Sequence, residues 1–168
     1  MTEPTPLKDC IAEYLAATGL ADELTLHFDG ACEPRNPGGV ATYGWVLSTG
    51  HSGCGVVATG GPTSTNNLAE WSALGFGLRW IADQKLKPEK LLIFGDSQLV
   101  VRQLNHEWAC NKEHLQKLRA RCEELLKAID RPWAAEWIPR EKNEDADALS
   151  RKAYTDHTGK PFPERRRA

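Results

Sequence analysis

Asp29, Glu70, Asp96 and Asp147 each stand where a predicted strand or helix meets a loop, and each carries its own recognisable neighbours. Acidic groups brought together repel one another and raise each other's proton affinity, so a fold that converges them favours a cation between them. The hard cation that takes an all-oxygen site, keeps some of its waters and sits against phosphates is Mg2+. The chemistry these residues suggest is hydrolysis of a phosphodiester.

Elements must hold the four carboxylates. Leu24 to Phe28 reads as a strand running into Asp29-Gly30, followed by a loop containing Pro34, Pro37, Gly38 and Gly39. Two further strands, near Ala41 to Ser48 and Gly53 to Thr59, make an antiparallel meander. From Asn67 to about Ala82 the period becomes helical, and Ala69, Ala73 and Gly77 form a small-residue stripe that lets the helix lie close to a sheet. Leu91 to Phe94 is a continuous apolar run, predicted to be a strand buried on both faces. Ser97 can cap a following helix, and a longer helix from about Lys112 to Ile129 carries Leu115, Leu118, Cys122, Leu125 and Leu126 on one face. A strand from Ala134 to Ile138 and a helix from Glu144 to about Ala153 close the order β-β-β-α-β-α-α-β-α.

That order predicts an α/β fold with a mixed five-stranded sheet, three antiparallel strands then two parallel, flanked by helices. A right-handed crossover can set the fourth strand beside the first and parallel to it. Asp29 and Asp96 then lie at neighbouring carboxyl ends, where open α/β sheets bind ligands. Glu70, one turn into its helix, and Asp147, in the first turn of the last helix, complete the cluster from either side.

The whole chain sets bounds on this reading. Its 168 residues suit one catalytic domain, and 40% hydrophobic with 26% charged residues excludes a fibrous or disordered chain. A net charge of −2 gives no global field for nucleic acid, so any such attraction must be local. Five cysteines with no C-x-x-C pair suggest neither a disulfide framework nor a zinc knuckle. With no leader-like start and no membrane-length apolar run, a cytoplasmic protein with no membrane partner is expected. The expected division is an extension over residues 1–22 with an amphipathic segment at Leu7, Ile11 and Leu15, a domain over 23–154, and a basic mobile tail over 155–168 ending in Arg165 to Arg167.

Four fragments in order carry a family resemblance. His27-Phe-Asp-Gly-Ala-Cys-Glu-Pro-Arg-Asn-Pro-Gly-Gly39, Ser64-Thr-Asn-Asn-Leu-Ala-Glu70, Gly95-Asp-Ser-Gln-Leu-Val100 and Ile138-Pro-Arg-Glu-Lys-Asn-Glu-Asp-Ala-Asp-Ala-Leu-Ser150 resemble type 1 ribonuclease H, over about Leu24 to Tyr154. The resemblance implies an endonuclease that cuts the RNA strand of RNA·DNA hybrids with two Mg2+ ions, Mn2+ being an alternative, and leaves 5′-phosphate and 3′-hydroxyl ends. It implies that Asp29 bridges both ions, that Asp147 helps hold the ion activating water, and that Glu70 and Asp96 serve the ion facing the leaving oxygen. It also implies that Asn66, Asn67 and Gln98 contact the hybrid's minor groove, that Glu70 accepts from a 2′-hydroxyl, and that Asn36 and Thr65 hold a DNA phosphate.

Two departures from the common bacterial pattern matter. The loop before Asp147 lacks a histidine and carries Arg140, as in the compact archaeal-like branch, so Arg140 is the candidate for electrostatic assistance at the phosphate. The basic protrusion is also missing, since only His-Glu-Trp-Ala-Cys-Asn-Lys-Glu-His separates Asn105 from Leu115. Weaker or differently placed hybrid binding is expected, with Trp108 either meeting the DNA strand or closing a helix against its own core.

Plainer readings compete. Asp147 alone would suit a helix dipole. Trp45, Trp71, Trp80, Trp133 and Trp137 read as core residues, and His27 as a packed histidine. The expected protein is a monomeric nuclease. The alternatives are a relative that also cuts double-stranded RNA and a silent hybrid-binding adaptor, the latter opposed by the complete set of carboxylates.

Overall fold

The computed structural model describes residues 23–164; the segment from Leu7 to Leu15 and Arg165 to Arg167 lie outside the described residues. Five strands, β1 (Glu23–Glu33), β2 (Val40–Leu47), β3 (Ser52–Ala58), β4 (Lys90–Gly95) and β5 (Trp133–Trp137), form one sheet in the order β3-β2-β1-β4-β5. β1 pairs antiparallel with β2 and parallel with β4, and β5 joins β4 in parallel. Four helices flank it: α1 (Asn66–Asp83), α2 (Gln98–Leu104), α3 (Glu113–Ile129) and α4 (Glu144–Thr158). The expected order and sheet are therefore present.

Alternation along β1 divides the molecule. Leu24, Leu26 and Phe28 point into the main core with Trp71, Leu74, Leu78, Leu91, Ile93 and the apolar face of α3. Thr25, His27 and Asp29 point the other way, toward the side where α4 lies across β1, β2 and β3. The small-residue stripe does what its spacing suggests: a Cβ on Gly77 would stand 2.7 Å from Leu26 Cδ1, so helix and sheet are in close contact there.

Three expectations need correction. β1 does not stop at Asp29 but continues to Glu33, because β2 still offers partners from Gly44 to Val40 after β4 has ended at the Phe28–Gly95 register. Leu92 and Phe94 are only half-buried, since α4 covers β1 to β3 and leaves that face of β4 partly open. Trp133 and Trp137 are 36% and 46% exposed rather than core, because β5 is an edge strand. Trp71 and Trp45 are buried as expected, with Trp80 at the margin, tilted against the His51 ring.

The last helix also outruns its expected end. It continues to Thr158, where Gly159 at φ 67° supplies the left-handed cap that reverses the chain. Phe162 then packs edge-on against Tyr154, centroids 5.5 Å apart. Residues 155–164 thus fold onto the domain.

Gly30 governs how closely α1 meets the sheet. A Cβ there would fall 2.3 Å from Glu70 N and 2.4 Å from Ala69 C, both rigid backbone atoms. Gly30→Ala is expected to lose about 3 kcal/mol, the upper end for an overpacked site, in urea unfolding; a loss within experimental error would mean that α1 can shift freely.

Candidate active site

Asp29 lies where β1 leaves its parallel partner, and Asp96 follows directly on the last residue of β4. Two backbone contacts fix the end of β4: Ile138 N donates to Gly95 O at 2.9 Å, and Trp137 Nε1 donates to Asp96 O at 3.1 Å. Ser97 then starts α2 by accepting from Val100 N. Glu70 arrives from the first turn and a half of α1, whose N-cap Thr65 accepts from Leu68 N at 3.1 Å.

These elements bring one carboxylate oxygen from each of Asp29, Glu70 and Asp96 within 4.8 Å of one another. Asp29 is buried, at 6% exposure, while the other two are half-buried. With Gly30, Ala31, Asn66, Trp137, Arg140 and Asp147 they line one open cavity of about 340 Å3. The donor set is all hard oxygen, which suits a cation of the Mg2+ class and not a soft transition metal.

Asp147 borders the same cavity but is held differently. Arg140 Nη2 donates to its Oδ1 at 3.0 Å, and Arg151 Nε approaches its Oδ2 at 2.9 Å as a charge contact, not an aligned hydrogen bond. Asp147 thus borders the trio, bearing on Asp29 while its oxygens also meet the two arginines.

Burial, followed by the charges of Asp96, Glu70 and Asp147, pushes the Asp29 carboxyl well above the ordinary carboxylate range. Burial also raises Asp96, partly offset by its hydrogen bond with Asp29 and by Arg140. Without a cation the trio therefore holds on to a proton more strongly than free carboxylates do.

The proposed substrate-contacting residues are largely pinned by the protein itself. Asn66 Oδ1 accepts from Cys32 N at 2.7 Å, and Asn36 Oδ1 accepts from Asn66 N at 3.2 Å. Both carboxamides thus have their oxygens turned to backbone, leaving NH2 groups as the outward donors. Asn67 is half-buried one residue into α1, and Gln98 is exposed as the first residue of α2. Trp108 is exposed, with the Arg102 guanidinium 5.3 Å from its ring centroid, so it does not close a helix against the core.

Sequence reasoning passed over four residues. Buried Asn143 donates through Nδ2 to Phe28 O at 2.9 Å, tying the start of α4 to β1 immediately before Asp29. Fully buried Ser150 donates to Asp29 Oδ2 at 3.2 Å. A signal for Ser150 existed, since it is the polar member of an otherwise apolar stripe with Ala146, Ala153 and Tyr154. Trp137 and Arg151 had no such signal, because their roles depend on which residues face them across the sheet and along α4.

Comparison with known proteins follows from this geometry. Residues 27–153 match the family model described as reverse transcriptase-like. The curated ribonuclease HI of Halobacterium salinarum is 43% identical over 133 residues, 77% of this chain and 63% of that protein, so the chain spans less than two thirds of its length. A crystal structure of RNase H1 from H. salinarum NRC-1 aligns with TM-score 0.69 and 37% identity, covering 80% of this chain and 98% of that one. LC11-RNase H1, solved in complex with an RNA/DNA hybrid, aligns with TM-score 0.70 and 25% identity over 80% of this chain and 98% of its own.

The raised Asp29 proton affinity has a sign that can be checked. A carboxyl raised in the native state adds stability below the ordinary carboxylate range and loses that contribution as pH rises through its raised value. In EDTA the protein is expected to be less stable at about pH 8 than at about pH 5 on this account. Asp29→Asn should remove the penalty and gain at least about 1 kcal/mol at the higher pH, read by urea unfolding. A variant no more stable than the parent there would contradict the electrostatic assignment.

Proposed function

This chain belongs to the type 1 ribonuclease H family, and from that premise we propose that it is an endoribonuclease acting on the RNA strand of RNA·DNA hybrids. The observation that carries the proposal is the convergence of Asp29, Glu70 and Asp96 on one point, beside Asp147 in the same cavity. These four carboxylates would hold two divalent ions, Mg2+ or Mn2+, which when bound neutralise phosphate charge and activate water for an in-line displacement.

The chain's own residues do the rest. Ser150 and the end of β4 hold Asp29 and Asp96 in register before any ligand arrives. Asn36, Thr65, Asn66, Asn67 and Gln98 offer neutral donors and acceptors to a sugar-phosphate backbone and a minor groove, which favours recognition of hybrid geometry over base sequence. Glu70, at the N-terminal end of α1, is the acceptor for a 2′-hydroxyl, and this selects the RNA strand. Arg140, lining the cavity beside Asp147, supplies positive charge to the phosphate. The products are 5′-phosphate and 3′-hydroxyl ends, and the unit acts as a cytoplasmic monomer with reduced thiols.

The family membership, not the residues alone, separates this reading from a cation-dependent binding module. Acceptance of double-stranded RNA is the second reading, favoured by Arg140 standing where the common bacterial pattern has histidine.

End-labelled RNA in a hybrid, duplex RNA and duplex DNA, each with Mg2+ or EDTA, test both readings. Metal-dependent cutting of the hybrid's RNA is expected, with Asp29→Asn at least about a hundredfold slower and Arg140→Ala slower by about tenfold to a hundredfold in kcat. Hybrid binding with no cutting in either Mg2+ or Mn2+ would replace the enzyme with an adaptor.

A further inference from the structure

Asp147 is gripped from two sides. Arg140, from the short 3-10 turn Arg140–Lys142, meets Oδ1, and Arg151, one turn further along α4, meets Oδ2. Asp147 is only 18% exposed at its side chain, with a guanidinium group against each of its oxygens. Long arginine side chains are floppy unless something orders them, and ordering one removes about 2 kcal/mol of rotamer entropy.

Arg151 has such an ordering partner. Its guanidinium carbon lies 4.8 Å from the centroid of the Phe162 ring, a cation–π contact. Phe162 in turn rests edge-on against Tyr154, which is buried. The route that brings Phe162 there is built into the chain: Gly159 reverses direction after α4, and Thr158 Oγ1 accepts from Lys160 N at 3.1 Å to set the turn. A segment beyond the expected end of the domain thus reaches the fourth carboxylate through one arginine.

We propose that Arg151, held by Phe162, is a positioning residue that keeps Asp147 aimed at the cavity while its charge competes with a divalent cation for the same carboxylate. The inference rests on the reading that Asp147 is a cation ligand. Two consequences have opposite signs. The guanidinium competes with the cation for Oδ2, which weakens cation binding. It also holds the carboxylate in the direction the cavity requires, which favours turnover once the cation is bound. The off-axis approach of Nε to Oδ2 suits a contact that is made and exchanged.

The test is Mn2+ binding to the substrate-free protein by calorimetry, beside hybrid cleavage across Mg2+ concentrations, for Arg151→Ala, Phe162→Ala and Phe162→Tyr. Melting in EDTA identifies which variants are folded. Arg151→Ala is expected to bind Mn2+ about two- to fivefold more tightly, the scale of one half-exposed charge contact. Its cleavage should peak at lower Mg2+ with reduced kcat and unchanged KM. Phe162→Ala should shift in the same directions by less, and Phe162→Tyr, which keeps a ring under the guanidinium, should behave as the parent. Unchanged or weaker Mn2+ affinity in folded Arg151→Ala would overturn the proposal, as would a Phe162→Tyr shift equal to that of Phe162→Ala. If the parent cuts no hybrid but the affinity shifts appear, the nuclease reading falls and the clamp stands. If the parent cuts hybrids and Mn2+ affinity is unmoved, the clamp alone falls.

Discussion

Repulsion around the Asp29 carboxylate is the constraint to which the rest of the fold answers. A buried carboxylate beside two others opposes folding, so the groups that hold it must be fixed by interactions that do not depend on it. They are. Gly30 lets α1 approach until Glu70 is beside β1, the parallel ladder with β4 ends one residue before Asp29, and Asn143 ties α4 to Phe28 O. The main core, anchored by fully buried Trp71, Leu26, Leu74 and Ile93, lies on the opposite face of β1. Each such side chain contributes about 1.5–3 kcal/mol when removed from water, so the apolar face of the strand offsets what its charged face loses.

On the proposed reading, the arrangement also accounts for how a chain with net charge −2 would address a polyanion. The cavity is lined by the four carboxylates together with Arg140, Asn66 and Trp137. Asn36 and Asn66 bond to each other's neighbourhood through backbone groups, so their NH2 donors are presented with little freedom left to lose on binding. On that reading, neutral, preordered donors would take the place of a basic protrusion between Asn105 and Leu115. Trp108 with Arg102 adds an exposed aromatic and cationic pair on the α2 side.

Much of this was legible in the sequence, for reasons that differ by residue. The change from alternation to helical period at Asn67, the cap Ser97 and the apolar stripe of α3 are local signals, and the elements they predict are present. Asp29, Glu70 and Asp96 were identifiable because each travels with its own motif. What stayed hidden depends on contacts between distant segments. The exposure of Trp133 and Trp137 follows from β5 being an edge, and the half-burial of Leu92 and Phe94 from the reach of α4. Asp147 reads from sequence as the fourth member of one cluster, but its two arginines come from a turn before it and a helical turn after it, a pairing that spacing alone does not distinguish from solvent contacts.

The chain order of the site has a consequence during synthesis. Asp29, Glu70 and Asp96 all belong to the β1–β4 portion, which emerges from the ribosome before β5 and α4 exist. Asn143, Asp147, Ser150 and Arg151 arrive together on the last helix, and that helix also covers β1 to β3. In chain order, the three converging carboxylates therefore precede the helix that covers β1 to β3. Completion of the fourth-carboxylate side and closure of the fold are one event, so the site is finished only when the fold is.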